Sequence, residues 1–331
     1  MIIDCHNHIL LTGAYPGAEK FIKEMTLGYF RSAGKLPSDR LPDDKDWEGM
    51  EYLWLPTHPE KFLADHPGID KSAILSVAPS DYTSYSIRGL YDPFGYTNVS
   101  GPPSIDKAND YIADLVKSYP DKFIGFCSVN PKYRGVNAAL KELTRSILDL
   151  KLTGLKLYPC YDHYSPDDRK LAFPVFAKAL ELGIPVMVHQ AFTSVIDAPL
   201  ALGRPYLLDD VGRAFPELKI LICHAGVPWV DECLILVAKH PNFYLDLSFY
   251  NSMISSKDML LFLNKCNAYG VPLSKVCWGT DYPGFEFPEQ LLNKFMDINK
   301  YIEGVDLKKI SRQDIENILG GNFLNFIKSM K

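Results

Sequence analysis

The chain has 331 residues, 47% of them hydrophobic and 23% charged, and a formal net charge of −5. That is the composition of an ordinary soluble globular protein, long enough for one large α/β domain. A pI near 5.9 without a basic patch excludes the usual footprint of a nucleic-acid binder. The absence of any run of 18 apolar residues excludes a membrane-spanning helix.

The first element is a strand, IIDCHNH (2–8), which starts at once with no charged n-region and apolar h-region before it. With seven cysteines and no CxxC spacing, this points to a cytoplasmic chain whose Cys5, Cys127, Cys223 and Cys277 are buried, reduced thiols. Strand parity predicts that His6 and His8 share one face with Asp4, while Cys5 and Asn7 face the other way. Two imidazoles about 7 Å apart on one face can converge on a metal ion, or can be two satisfied core histidines.

Residues 11–70 are too long for one crossover helix and read as a loop-and-helix excursion carrying Arg31. Strand 72–78 follows, then a Tyr-, Gly- and Pro-rich excursion over 79–104 carrying Arg88. From there helix and strand alternate. The helices are 105–118, 132–150, 166–182, 206–215, 229–240, 256–270 and 287–303. The strands are 123–129, 153–159, 184–190, 218–224, 243–249 and 275–281. Pro174 kinks or delays the helix over 166–182. A final helix follows Gly320-Gly321, where Asn322 reads as a turn or cap residue. Near-continuous apolar strands alternating with helices predict parallel βαβ units. Eight of them in a single domain over 1–331 predict a (β/α)8 TIM barrel, with both excursions at the C-terminal face. An open doubly wound sheet is the alternative, and the lack of GxGxxG after the first strand weighs against it.

The remaining chemistry falls at the same end of the strands. His189 lies near the end of IPVMVHQ, His224 ends LKILICH and Asp281 ends KVCWGTD. In a barrel these ends meet around one axis. His6, His8, His189 and Asp281 then offer three neutral nitrogens and one carboxylate to one divalent ion. Zn is the first expectation, and Mn, Fe or Co suit the same donors. A water held there would have its pKa lowered toward about 7. His58, His66, His163 and His240 lie in loops or near helix ends and read as solvated.

The order IDCHNH, GLKLYP, IPVMVHQ, ILICHAGVPWVDE and WGTDYP resembles the amidohydrolase superfamily, in its amidohydrolase 2 branch. That branch holds metal-dependent TIM-barrel hydrolases and the relatives of aminocarboxymuconate-semialdehyde decarboxylase. The resemblance implies that His6 and His8 are the strand-1 ligands, His189 the strand-5 ligand, and Asp281 the strand-8 ligand and proton acceptor. It implies that His224 polarises the substrate or relays a proton. Some amidohydrolases carry a carboxylated lysine on strand 4 that bridges two metals. Lys156 has that strand and an inward parity shared with Gly154 and Tyr158, but a second metal is not expected in this branch. Lys156 reads instead as a substrate or ion-pair residue. Asp246 is a second inward acid, placed to pair with Lys156 or to orient a ligand histidine. Tyr158, Trp229 and Tyr282 would wall the pocket, and Arg31 or Arg88 would clamp a substrate carboxylate. The implied reaction is hydrolysis of an ester, lactone or amide of a small substrate. Non-oxidative decarboxylation of an aromatic or muconate-like acid is the alternative. A barrel that only binds would lack a ligand, and none is missing. Relatives of this kind are commonly dimers or tetramers, so a homo-oligomer is expected.

Overall fold

The computed structural model describes residues 1–9, 27, 31, 36–37, 39–40, 44–47, 58–77, 105–132, 134–193, 198–283, 286–302 and 306–328. Its frame is one eight-stranded parallel sheet whose spatial order is the order of the chain. The strands are β1 Ile3–Asn7, β2 Lys71–Leu75, β3 Phe123–Ser128, β4 Gly154–Leu157, β5 Val186–Val188, β6 Ile220–Ile222, β7 Phe243–Asp246 and β8 Val276–Cys277. β8 comes back beside β1. The Cys5 N–H donates to the Trp278 carbonyl (3.2 Å), the Asp281 N–H to the His6 carbonyl (2.8 Å) and the His8 N–H to the Tyr282 carbonyl (2.8 Å). The result is a nearly closed (β/α)8 barrel, as the alternation predicts.

The helices used below are α1 Pro59–Ala64, α2 Ile105–Ser118, α3 Val136–Leu148, α4 Ala172–Leu182, α5 Asp209–Ala214, α6 Val230–Lys239, α7 Ser256–Ala268, α8 Pro288–Met296, α9 Arg312–Glu316 and α10 Asn322–Ile327. Their sequence signals are ordinary ones. α2 buries Ile105, Ala108, Ile112 and Leu115, one stripe at helical spacing. α7 opens on a reciprocal capping box between Ser255 and Asp258. Pro174 falls in the first turn of α4, where its missing N–H breaks no intrahelical bond, so the helix is delayed rather than kinked. α4 then stops at Gly183, at φ +71° in the left-handed region that glycine tolerates.

Alternation along the strands separates two cores. Ile74, Leu155, Leu157, Val186, Val188, Ile222 and Leu245 face outward under the helices, while Ile3, Cys5, Leu75, Phe126, Met187, Leu221, Cys223 and Cys277 fill the barrel. Phe323 and Phe326 of α10 plug the N-terminal end of that interior. Asn322 is no turn residue. It is buried, and its side-chain amide donates to the carbonyls of Leu273 (2.8 Å) and Val276 (2.7 Å), tying α10 to β8. With the lower end closed, the open end lies at the C-termini of the strands.

The excursions expected over 11–70 and 79–104 fall largely outside the described residues. Residues 79–104, with Arg88, lie outside them entirely. Among the described residues, no helix is long and apolar enough to cross a membrane.

Candidate metal centre

The two histidines of β1 reach the barrel interior by a route that simple alternation does not give. The register of β1 against β2 shifts between Asp4 and Asn7. This irregularity lets Cys5 face the barrel core while His6, the next residue, also turns inward. Asp4 is left outside, bonded to Thr280 (2.6 Å from Oδ2 to Oγ1). The predicted face shared by Asp4, His6 and His8 is therefore corrected: a bulge, not a regular pleat, brings His6 and His8 together.

Hydrogen bonds assign the tautomers. His6 Nδ1–H donates to Asp246 Oδ2 (3.0 Å), and His8 Nδ1–H donates to the Leu75 carbonyl (3.2 Å). Both Nε2 atoms are thus lone-pair acceptors, and that of His6 also faces Lys156 Nζ at 3.4 Å. Each lies 3.4 Å from Asp281 Oδ1. Three acceptors facing one another across these distances repel unless a cation lies among them. His189 completes the pattern. His224 Nδ1–H points to the Ser248 carbonyl (3.2 Å), so its Nε2 accepts from His189 Nδ1–H (3.0 Å). That leaves His189 Nε2 buried and without a hydrogen-bond partner. An orphaned buried nitrogen and three converging acceptors fit a divalent ion held by His6, His8, His189 and Asp281.

The electrostatics keep the donors in the ligating form. Burial, helped by Lys156, pushes the His6 imidazole down to about 3. Burial and then His224 push His189 well below its usual value, and burial lowers His224. Burial by itself would raise the Asp281 carboxyl. The imidazoles of His6, His224 and His8 outweigh it and hold it well below the usual carboxylate range.

Asp246 is the hub behind the ligands. Its Oδ1 accepts from the His224 N–H (2.8 Å), the Ser248 N–H (3.0 Å) and the Ser248 hydroxyl (2.5 Å), while Oδ2 takes the His6 proton. Burial opposes its charge, but His6 and these donors hold it below the usual range. His6, Cys223 and Asp246 also bring ligand atoms within 4.8 Å of one another. The bonds just named already occupy the Asp246 oxygens, and Lys156 Nζ lies 2.9 Å from Cys223 Sγ, so this second set suits an ion less well than the first. Lys156 is fully buried in the barrel, with Nζ 2.9 Å from Cys223 Sγ, 3.4 Å from His6 Nε2 and 5.1 Å from the Tyr158 ring. It does not pair with Asp246.

The other expected residues are scattered. Tyr158 is close by and donates its hydroxyl to the Ser76 carbonyl (3.0 Å). Tyr282, expected in the pocket wall, packs its ring on Phe62 (5.4 Å) and His66 (4.8 Å) and donates its hydroxyl to Asp65, contacts on the helix side of β1. Trp229 lies beside Arg204, whose guanidinium is 5.7 Å from its ring. Arg31 is half-buried. Three residues of the centre escape sequence reasoning. Ser248 lies two residues past Asp246, Thr280 one before Asp281, and Cys223 one before His224; each takes its place from a strand-end turn. His224, at φ +61°, and Asp281, at φ +62°, sit in left-handed backbone. That turn is what lets Cys223 and His224, adjacent in sequence, both face the site. His66 and His240, read as solvated, are buried: His66 stacks on Phe62 and His240 Nε2 meets Asp209 (2.8 Å).

A parallel barrel with imidazoles and one carboxylate gathered at its C-terminal mouth defines a class, the metal-dependent barrel enzymes. A family model described as amidohydrolase matches residues 3–322, and the chain belongs to that family, amidohydrolase 2. Two curated proteins are similar to it. A 2-amino-3-carboxymuconate-6-semialdehyde decarboxylase of Dictyostelium discoideum is 28% identical over 251 residues, 66% of this chain and 65% of that protein. A 2-keto-4-carboxy-3-hexenedioate hydratase of a Sphingobium species is 24% identical over 245 residues, 68% of this chain and again 65% of the relative. The match thus spans just under two thirds of each relative's length. Among solved structures, a dihydroxybenzoic acid decarboxylase from a Polaromonas species, with bound manganese and 2-nitroresorcinol, has the same fold. Its TM-score is 0.62 at 20% identity, covering 99% of this chain and 96% of that one.

Proposed function

We propose that the chain is a metal-dependent carboxy-lyase that removes CO₂, without oxidation, from a small conjugated or aromatic acid. The observation that carries this reading is the set His6, His8 and Asp281, with donor atoms within 4.8 Å of one another, and the buried, unpartnered Nε2 of His189, in a chain similar, over about two thirds of its length, to a decarboxylase. When bound by His6, His8, His189 and Asp281, manganese or zinc would supply a Lewis acid for the oxygens of the substrate. Manganese is the metal of the Polaromonas decarboxylase.

The chain's own groups do the rest. Buried Lys156 puts positive charge beneath the cluster and favours an acid ligand over a neutral one. Breaking the C–CO₂ bond leaves its electron pair on carbon, and a proton must arrive there. Asp281 is placed to carry it. One oxygen faces His6 and His8, and the side chain is 19% exposed, toward the mouth. It takes a proton from the substrate's hydroxyl or acid group and returns it to the carbon that loses CO₂. His224, with both ring nitrogens engaged, acts through His189 by fixing its tautomer and aim.

Hydration is the second reading, favoured by the name of the Sphingobium relative. It too moves a proton at a carbon beside a carbonyl. Hydrolysis, which the sequence resemblance puts first, ranks below both, because the two curated relatives act at carbon. The manganese- or zinc-loaded protein, given carboxylated phenols and muconate-type acids in D₂O, is expected to release CO₂ and leave deuterium on the vacated carbon. A product heavier by one water, with no CO₂, would select hydration; cleavage of esters or lactones alone would restore hydrolysis.

Lys156→Met is expected to raise KM for the acid substrate by about ten- to a hundredfold, the cost of losing a charge-assisted contact. Steady-state kinetics read this directly. An unchanged KM would make Lys156 a packing residue.

A further inference from the structure

Three of the four donors ride on one seam. His6 and His8 come from β1, and Asp281 from the segment after β8. Beyond the end of β8 at Cys277 the seam is held by the Asp281 N–H to His6 carbonyl and His8 N–H to Tyr282 carbonyl bonds (both 2.8 Å). A buried side chain reinforces it. Asp4, fully buried on the outer face of β1, accepts from the Thr280 N–H (2.9 Å) and the His6 N–H (3.3 Å) at Oδ1, and from the Thr280 hydroxyl (2.6 Å) at Oδ2. One carboxylate thereby grips the backbone of a metal ligand on β1 and the residue next to a metal ligand after β8. Asn7 braces it from behind. Its amide donates to the carbonyls of Asp4 (3.3 Å) and Ala73 (3.4 Å), and its oxygen faces the Thr280 hydroxyl (3.1 Å) and His66 Nε2 (3.1 Å).

We infer that Asp4 and Thr280 form a clasp across the β8–β1 seam, and that these positioning residues set the affinity of the centre for its metal ion. Neither residue touches the ion. The clasp fixes the spacing of His6 and Asp281, so the acceptors are held together before a cation arrives and the ion does not have to draw the seam shut. In the absence of the clasp, only the two backbone bonds across the seam oppose the mutual repulsion of His6 Nε2, His8 Nε2 and Asp281 Oδ1.

The test is binding of Mn²⁺ alone, by calorimetric titration of the full, metal-stripped chain. Thr280→Val keeps the shape and removes the hydroxyl donor; Asp4→Asn weakens the acceptor. Each is expected to bind Mn²⁺ about 10- to 100-fold more weakly, the usual range for groups behind a metal ligand. Thr280→Ser, which keeps the hydroxyl, is expected to restore the affinity. A merely structural role would lower the thermal midpoint of the metal-free protein and leave Mn²⁺ affinity where it was. Wild-type affinity in Thr280→Val, or a Thr280→Ser variant as weak as Thr280→Val, would overturn the clasp. If neither Thr280→Val nor Asp4→Asn folds, amide exchange in the wild type decides. Protection of the His6 and Thr280 amides is expected to rise on Mn²⁺ addition more than that of amides between β3 and β4, and an equal rise would overturn it. The inference rests on His6, His8, His189 and Asp281 being the ligands. Loss of Mn²⁺ in His189→Ala together with full binding in Thr280→Val would sink the clasp alone. Full binding in His189→Ala would sink the ligand reading.

Discussion

Asp281→Asn is expected to abolish turnover, with kcat lower by about 10²- to 10⁴-fold, the range that a positioned acid–base group contributes. The substitution keeps the size and one oxygen of the side chain, so a donor still faces His6 and His8, and the backbone bond from residue 281 to the His6 carbonyl is untouched. What is lost is a group that can take up and return a proton. Metal binding is expected to weaken, because a neutral amide replaces the only anion among the four donors, but the barrel should fold. Circular dichroism, metal content and kcat at saturating metal separate these effects. A folded, metal-loaded Asp281→Asn protein with undiminished kcat would move the proton elsewhere, to His224 first.

Asp246→Ala is the second large effect. It removes the acceptor of four donors in a fully buried place: His6 Nδ1–H, the His224 and Ser248 amides and the Ser248 hydroxyl. Breaking a buried charged network by deleting one side costs about 3–5 kcal/mol. Freed of its partner, the His6 ring can change tautomer and present a proton to the metal position. A further loss of about 10- to 100-fold in metal affinity follows. Urea midpoints of the metal-free protein measure the first effect and Mn²⁺ titration the second. Asp246→Ala with wild-type stability and affinity would show that the hub carries neither.

The barrel was legible because its signals are repeated. Eight apolar strands, seven of them followed by a helical stripe, leave few topologies. The candidate donors were legible because His6, His8, His189 and Asp281 all fall at strand ends, the one place where distant sequence converges. What alternation could not supply is the local backbone that aims them. The bulge in β1 reverses the expected side of Asp4, and left-handed residues at 224 and 281 decide which way two strand ends turn. Tyr282 and His66 were misplaced for a related reason: an aromatic after a strand end can face the mouth or the covering helix. Here Phe62 of α1 offers both rings a packing surface on the helix side. His240 is buried against α5, a contact between two elements distant in sequence, which no local pattern carries.

Metal per chain, measured by plasma mass spectrometry on protein purified without chelator or nickel affinity resin, tests the central claim most directly. The account predicts about one equivalent of manganese or zinc in the wild type, and its loss in His189→Ala, whose Nε2 is the orphaned nitrogen of the site. Wild-type protein that takes up no divalent ion when manganese and zinc are supplied, or His189→Ala protein that keeps its full equivalent, would contradict it.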